Sequence, residues 1–237
     1  DYYEKALFVQ QEFRQSGQVI YNSLQTNGTL LDEKWCEFFK EYGFSIGISI
    51  DGLEQTHNAN RPYASGKGSF PEVQRALHLL QTYEIPFGVL MVLNHETMKL
   101  GPERIYRFVT EQLGVKAFAL LPVRPNNFPD KCSTPGLQYI SKNEQNAFMK
   151  QIFDLWYEDD DPSIQVRELT SIVKTLVGGS ANVCTLSGHC IGEYFQVEPN
   201  GDMYHCDNFF GDADYYVGNI TKQTFRDIYT SNQLFRL

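Results

Sequence analysis

Apolar runs that alternate with amphipathic helices constrain this chain more than any other feature. Four stretches read as strands: Val19–Leu24, Phe44–Ile50, Phe87–Leu93 and Ala117–Val123. Between them the period lengthens to that of a helix. Leu31 to Tyr42 places Leu31, Trp35, Phe38 and Phe39 on one stripe and stops at Gly43, the C′ position where a left-handed residue ends a helix. Phe70 to Tyr83 repeats the pattern with Val73, Leu77 and Leu80, and Pro102 to Leu113 carries its proline in the first turn, where the missing N–H does no harm. In Phe44–Ile50 the isoleucines 46, 48 and 50 alternate, whereas Phe87–Leu93 is almost continuously apolar, as a parallel strand covered on both faces would be. Strands alternating with helices of about 10–15 residues form βαβ units around a parallel sheet. Right-handed crossovers then curl that sheet into a whole or partial barrel.

A helix over Tyr2–Gln15 precedes these units. Beyond Pro122 the composition shifts. Residues 124–136 are rich in Pro and Asn and read as a loop at the barrel mouth, with Cys132 inside it. Ser141 to Tyr157 is a helix with a capping box, Ser141 followed three residues on by Glu144, and Glu158 to Pro162 stops it. Val166 to Val177 reads as another helix. Gly178-Gly179-Ser180 is the expected boundary, which divides the chain into a barrel segment, 1–177, and a second segment, 178–237. A short helix at Thr224–Tyr229 lies near the end.

The second segment holds three of the five cysteines, Cys184, Cys190 and Cys206. Cys190 and Cys206 flank two alternating runs joined by Asn200-Gly201, a strong hairpin signal because both residues tolerate the positive φ of a tight turn. Folding back at that turn would let three thiols converge on one centre. Three thiolates are one short of the usual four for a zinc or an iron–sulfur site, and the spacing leaves both metals open. Cys36 lies on an amphipathic helix and is expected to be a small buried hydrophobe. His189 and His205 adjoin these cysteines, and His57, His78 and His95 are expected on loops or helix faces.

The net charge of −9 disfavours nucleic acid, whose phosphates need a basic face. No apolar run approaches the ~18 residues of a membrane span. The charged start, Asp1 to Lys5, is unlike a secretory signal. The absence of an initiator Met and the helical opening give the expectation that the chain begins partway into a longer protein. An odd count of five cysteines argues against a secreted disulfide framework and for a reducing, cytoplasmic setting.

In βα barrels chemistry sits where strands end. Those ends carry Gln25-Thr26-Asn27-Gly28, Ser49-Ile50-Asp51-Gly52, Asn94, and Pro122 with Arg124. Arg61, in a loop with His57, Asn58 and Asn60, is the side chain best shaped for a two-pronged grip on a carboxylate. Taken together, Tyr21 to Leu30, Ser49-Ile50-Asp51-Gly52 with Arg61, Gly66 to Phe70, Phe153 to Asp159, the Cys184 to Asp207 block and Gly218-Asn219-Ile220 resemble the anaerobic sulfatase-maturating enzymes and related peptide maturases. These are radical S-adenosylmethionine (SAM) enzymes with a C-terminal SPASM domain.

The resemblance implies an α/β fold, a partial (β/α)6 TIM-like barrel joined to a small SPASM segment containing a β-hairpin. It implies that Gln25 and Ser49 contact the ribose and methionine moiety of SAM and that Arg61 takes its carboxylate. Cys184, Cys190 and Cys206 correspond to three ligands of an auxiliary 4Fe–4S cluster, an acceptor for a substrate electron. Asp207 corresponds to an acid that takes a proton from the substrate. The implied partners are a peptide or protein substrate and an electron donor such as flavodoxin or ferredoxin, with no nucleic acid or membrane. The Cys-x3-Cys-x2-Cys loop of the SAM-cleaving cluster and the distal cluster cysteines are absent from the 237 residues. The expected activity is radical modification of a peptide side chain. A crosslink in a ribosomally made peptide ranks slightly ahead of oxidation of a sulfatase Cys or Ser to formylglycine. A non-catalytic peptide-binding scaffold is the reading from a different class.

Overall fold

The computed structural model describes residues 2–123, 140–181, 183–188 and 192–231. It divides into two compact units, Asp1–Thr170 and Ser171–Leu237. The division falls inside a helix, ahead of the Gly178-Gly179-Ser180 boundary that composition suggests.

The first unit is built on five parallel strands: β1 (Ser23–Thr26), β2 (Ser45–Ser49), β3 (Phe87–Leu93), β4 (Ala117–Pro122) and β5 (Gln165–Val166). Their order in the sheet follows their order in the chain, β1-β2-β3-β4-β5. A sheet wound in one direction, with a helix in each crossover, is a partial barrel rather than a doubly wound fold with a switch point. The helices between strands are α2 (Glu33–Tyr42), α3 (Glu54–Asn60), α4 (Phe70–Thr82), α5 (His95–Met98), α6 (Pro102–Arg107) and α7 (Lys142–Asp159), preceded by α1 (Tyr2–Phe13). α6 runs on into a π-helical turn at Phe108–Gln112.

One core unites this unit. Ile46, Ile48 and Ile50 from β2 and its end, Val89, Met91 and Leu93 from β3, and Phe118 and Leu120 from β4 point to the same side. There they meet Phe39, Leu77, Leu80, Ile105 and Ile152 from the helices. The opposite face of β2 and β3, with Gly47, Ser49, Leu90 and Val92, is only partly covered. The apolar run of β3 is therefore not buried equally on both sides. Local signals act where expected: Asp32 caps α2 through the Trp35 amide, Gly43 ends it with φ +66°, and Ser141 and Glu144 form the reciprocal capping box of α7.

Three expectations are corrected here. The first strand lies at Ser23–Thr26, whereas Val19, Ile20 and Tyr21 are exposed and precede it. These β-branched and aromatic residues have strand propensity, but pairing begins only where Ser23 comes level with Ser45. Val166 opens not a helix but the second half of β5, paired with Phe118, and the helix α8 (Arg167–Leu176) starts after it. Arg61 and its neighbours belong not to a loop but to α3 and its C-terminal cap.

The second unit holds a short helix, α9 (Cys184–Ser187), and an antiparallel sheet of β6 (Gln196–Val197), β7 (Asp202–Tyr204) and β8 (Tyr216–Asn219), followed by α10 (Phe225–Tyr229). The expected hairpin exists as β6 and β7. Its turn is of a different kind from a two-residue Asn-Gly loop. Glu198 N–H donates to Asp202 O and Gly201 N–H to Glu198 O, so Pro199, Asn200 and Gly201 form the loop. Only Gly201 has positive φ, +86°, the position that closes a three-residue hairpin loop. Asn219 ties this turn to β8. Its Nδ2 donates to Asn200 O and to Asp202 Oδ1, and its Oδ1 accepts from the Thr221 amide and hydroxyl. That network holds the Asp202 carboxyl below its usual range, Asn219 being the largest cause.

Candidate functional site

β1 and β2 bring two of the candidate residues together. Gln25 pairs in register with Gly47, and its side chain lies across that glycine. A β-carbon at position 47 would fall 1.9 Å from Gln25 Oε1, so only glycine leaves the space. Passing over it, Gln25 Nε2 donates to Ser49 Oγ at 3.1 Å. The two polar groups thus form one edge at the C-terminal ends of adjacent strands, facing away from the core.

Arg61 is placed by a set of buried partners. Its Nε donates to Asp51 Oδ2 at 2.6 Å and its Nη2 to Asp51 Oδ1 at 3.3 Å. Asp51 follows β2 directly, is 4% exposed, and also accepts the Val92 amide at 2.9 Å. His57, on α3, is fully buried rather than on a loop. Its Nδ1 accepts the Asp51 amide N–H at 3.2 Å, so the neutral ring carries its proton on Nε2, which lies 3.0 Å from Ser69 Oγ. The Ser69 hydroxyl in turn donates to the Arg61 carbonyl at 2.7 Å. Burial is the main force pushing the His57 pKa down. The Asp51 charge opposes that shift and the Arg61 charge adds to it.

A second layer braces the same loops. Asn94 caps α5 through the Thr97 amide and donates to Asn60 Oδ1 at 3.0 Å. Asn58 accepts the Phe70 amide at 2.9 Å. The sequence placed Asp51 only within a strand-end motif and His57 only beside Arg61, with a role of its own for neither. Glu54–Asn60 has no apolar stripe, because polar bonds rather than an apolar face fix α3. Arg124, Cys132 and His189 lie outside the described residues.

In the second unit Cys184 opens α9 and is exposed, and Cys206 is half-buried at the end of β7, where it caps a 3₁₀ turn over Asp207–Phe209. Cys190 lies outside the described residues. The Asn208 amide and Nδ2 both donate to Cys206 Sγ, at 3.5 and 3.3 Å, and the thiol donates to Asp207 Oδ1 at 3.3 Å. A cysteine sulfur is the usual ligand of an iron–sulfur cluster, and at Cys206 two N–H donors are aimed at it. The donor chemistry at Cys206 therefore fits an iron–sulfur ligand. Asp207 is exposed. Among the described residues no three His, Cys, Asp or Glu side chains gather into a metal-binding group. Cys36 is fully buried as expected, and burial is the main cause that raises its thiol pKa.

Residues 1–103 match the radical SAM superfamily, and residues 184–237 match SPASM, an iron-sulfur cluster-binding domain. The chain carries radical SAM and SPASM domains. It is 32% identical, over 98% of its length, to the cysteine-type anaerobic sulfatase-maturating enzyme of Clostridium perfringens, of which it covers 62%. It is 31% identical, again over 98% of its length, to the serine-type enzyme of Bacteroides thetaiotaomicron, of which it covers 58%. Its fold matches that of native anSMEcpe with bound AdoMet and the Cp18Cys peptide with a TM-score of 0.88 at 29% identity, over 99% of this chain and 64% of that one. The radical SAM and SPASM chain thus spans about three-fifths of the length of these relatives.

Proposed function

We propose that this chain is the SAM-binding and auxiliary-cluster part of a radical SAM maturase that oxidises a cysteine or serine side chain of a sulfatase polypeptide to formylglycine. The observation that carries this reading is the likeness across nearly the whole chain, in sequence and fold, to sulfatase-maturating enzymes of both the cysteine and the serine type. It reverses the order in which the sequence motifs alone ranked formylglycine and crosslink formation.

In this reading the joined amide and hydroxyl of Gln25 and Ser49 receive the ribose and methionine moiety of SAM. Arg61 presents the Nη1–Nη2 edge of its guanidinium to the carboxylate, since Asp51 takes the Nε–Nη2 edge. SAM held there would, on one-electron reduction, supply the radical chemistry that removes a hydrogen atom from the substrate side chain. Cys184, Cys190 and Cys206 would hold an auxiliary 4Fe–4S cluster, and the Asn208 N–H groups would donate to the Cys206 sulfur there. Asp207 takes a proton from the substrate. The substrate partner is a peptide or protein, and the reducing equivalent for SAM comes from a small redox protein such as a flavodoxin or ferredoxin.

The test uses the full-length gene product, its clusters reconstituted anaerobically, with SAM, a reductant and sulfatase-derived peptides bearing Cys or Ser at the modified position. Mass spectrometry with a hydrazine trap reports an aldehyde. A trapped aldehyde is expected. SAM turnover with no aldehyde, and loss of hydrogen from a different peptide, would move the assignment to crosslink formation.

A further inference from the structure

We propose that Asp51 is a positioning residue for Arg61. It acts through its carboxylate and through a hydrogen-bonded ring that His57 and Ser69 close. The inference rests on the reading above, in which Arg61 receives the SAM carboxylate.

The ring can be followed atom by atom. The Asp51 amide donates to His57 Nδ1, His57 Nε2 donates to Ser69 Oγ, the Ser69 hydroxyl donates to the Arg61 carbonyl, and the Arg61 side chain returns to the Asp51 carboxylate. Arg61 is thus fixed at both its backbone and its guanidinium. A long arginine side chain that is free to rotate gives up much of its rotamer entropy when it grips a ligand, and prior fixing removes that loss from the binding step. The geometry leaves a defined face. Asp51 is 5% exposed at its side chain while Arg61 is 31% exposed, so the acid is shut in and the guanidinium reaches solvent. A carboxylate so deeply buried needs its charge compensated, and Arg61 with the Val92 amide supplies that compensation. Because the guanidinium is planar, holding its Nε–Nη2 edge also sets the direction of its Nη1–Nη2 edge.

The test measures the dissociation constants of two ligands for the full-length, cluster-reconstituted protein. One is SAM and the other is decarboxylated S-adenosylmethionine, which lacks only the carboxylate. Asp51→Asn is expected to weaken SAM by about tenfold, the size of one charge-assisted hydrogen bond, and to leave the decarboxylated ligand unchanged. Equal weakening of both ligands, or no weakening of either, overturns the proposal. Arg61→Ala separates this inference from the reading beneath it. If Arg61→Ala keeps the preference for SAM over its decarboxylated form, Arg61 does not hold the carboxylate and the reading fails. If Arg61→Ala abolishes the preference while Asp51→Asn preserves it, the reading stands and the positioning role is refuted. Should Asp51→Asn not fold, Ser69→Ala opens the same ring without burying a new uncompensated charge, and an unchanged preference in that variant refutes the role equally.

Discussion

Gly47→Ala isolates the role of the Gln25–Ser49 edge. The new methyl would sit 1.9 Å from Gln25 Oε1 and 2.8 Å from its Cδ, well inside contact distance. These atoms are the far end of a flexible side chain, so Gln25 swings away and the backbone stays put. That movement breaks the 3.1 Å bond to Ser49. An exposed bond of this kind contributes about 0.5–1 kcal/mol. Replacing glycine by alanine inside a strand returns roughly 0.5–1 kcal/mol of backbone entropy. The two nearly cancel, and global stability by urea titration is expected to change by less than about 1 kcal/mol. Ligand binding behaves differently. With the Gln25 amide displaced from the strand ends, SAM affinity is expected to fall by about five- to thirtyfold, or about 1–2 kcal/mol, by calorimetric titration of the reconstituted protein. Unchanged SAM affinity would refute the placement of Gln25 at the ligand. A loss of several kcal/mol in stability would refute the account of how its side chain yields.

Asp207→Asn is expected to lower formylglycine formation by about 10²–10⁴-fold, the usual loss for a proton-transfer group, while SAM cleavage persists, as chromatography of 5′-deoxyadenosine would show. Gly201→Ala places a methyl 2.6 Å from Thr221 Cγ2 at φ +86°, where an L residue is strained. A loss of about 2–3 kcal/mol, together with a reduced iron content per chain, is the expected outcome by denaturation and metal analysis. The lowered His57 pKa carries a sign that can be checked. Unfolded chains bind the proton near the ordinary value of about 6.5 and the folded protein binds it only at lower pH, so stability is full above that value and falls as pH drops below it. In His57→Gln the slope between about pH 6.5 and 5 should flatten, measured as urea midpoints against pH.

The barrel was legible because its helices and strands are written in periodicity. Ile46, Ile48 and Ile50 face the core as their alternation implies, and Gly43 and the Ser141–Glu144 pair end and begin helices where their chemistry requires. What escaped was held by polar contacts rather than by an apolar stripe. α3 carries the sequence Glu-Gln-Thr-His-Asn-Ala-Asn, whose inward side is His57, and only the three-dimensional ring explains that burial. β5 is two residues long and too short for any period to appear. Gln25 and Ser49 were legible as polar groups at strand ends. Their contact depended on Gly47, which in the sequence is only a gap between isoleucines. Asp51 stood in view beside Gly52, and its clamp on Arg61 emerged only from the fold.

The outer edge of β1 has a consequence for handling the protein. β1 lies at the end of the sheet and pairs, among the described residues, with β2 alone. Beside it Val19, Tyr21 and Leu30 are exposed, and the sequence from Gln15 to Leu31 contains no charged side chain. Natural sheets guard such borders with lysine, proline or a bulge. This border has none of those guards, so the 237-residue chain prepared by itself is expected to self-associate with rising concentration. A lysine introduced at Tyr21, which is 89% exposed, should keep it monodisperse in light scattering without touching the core.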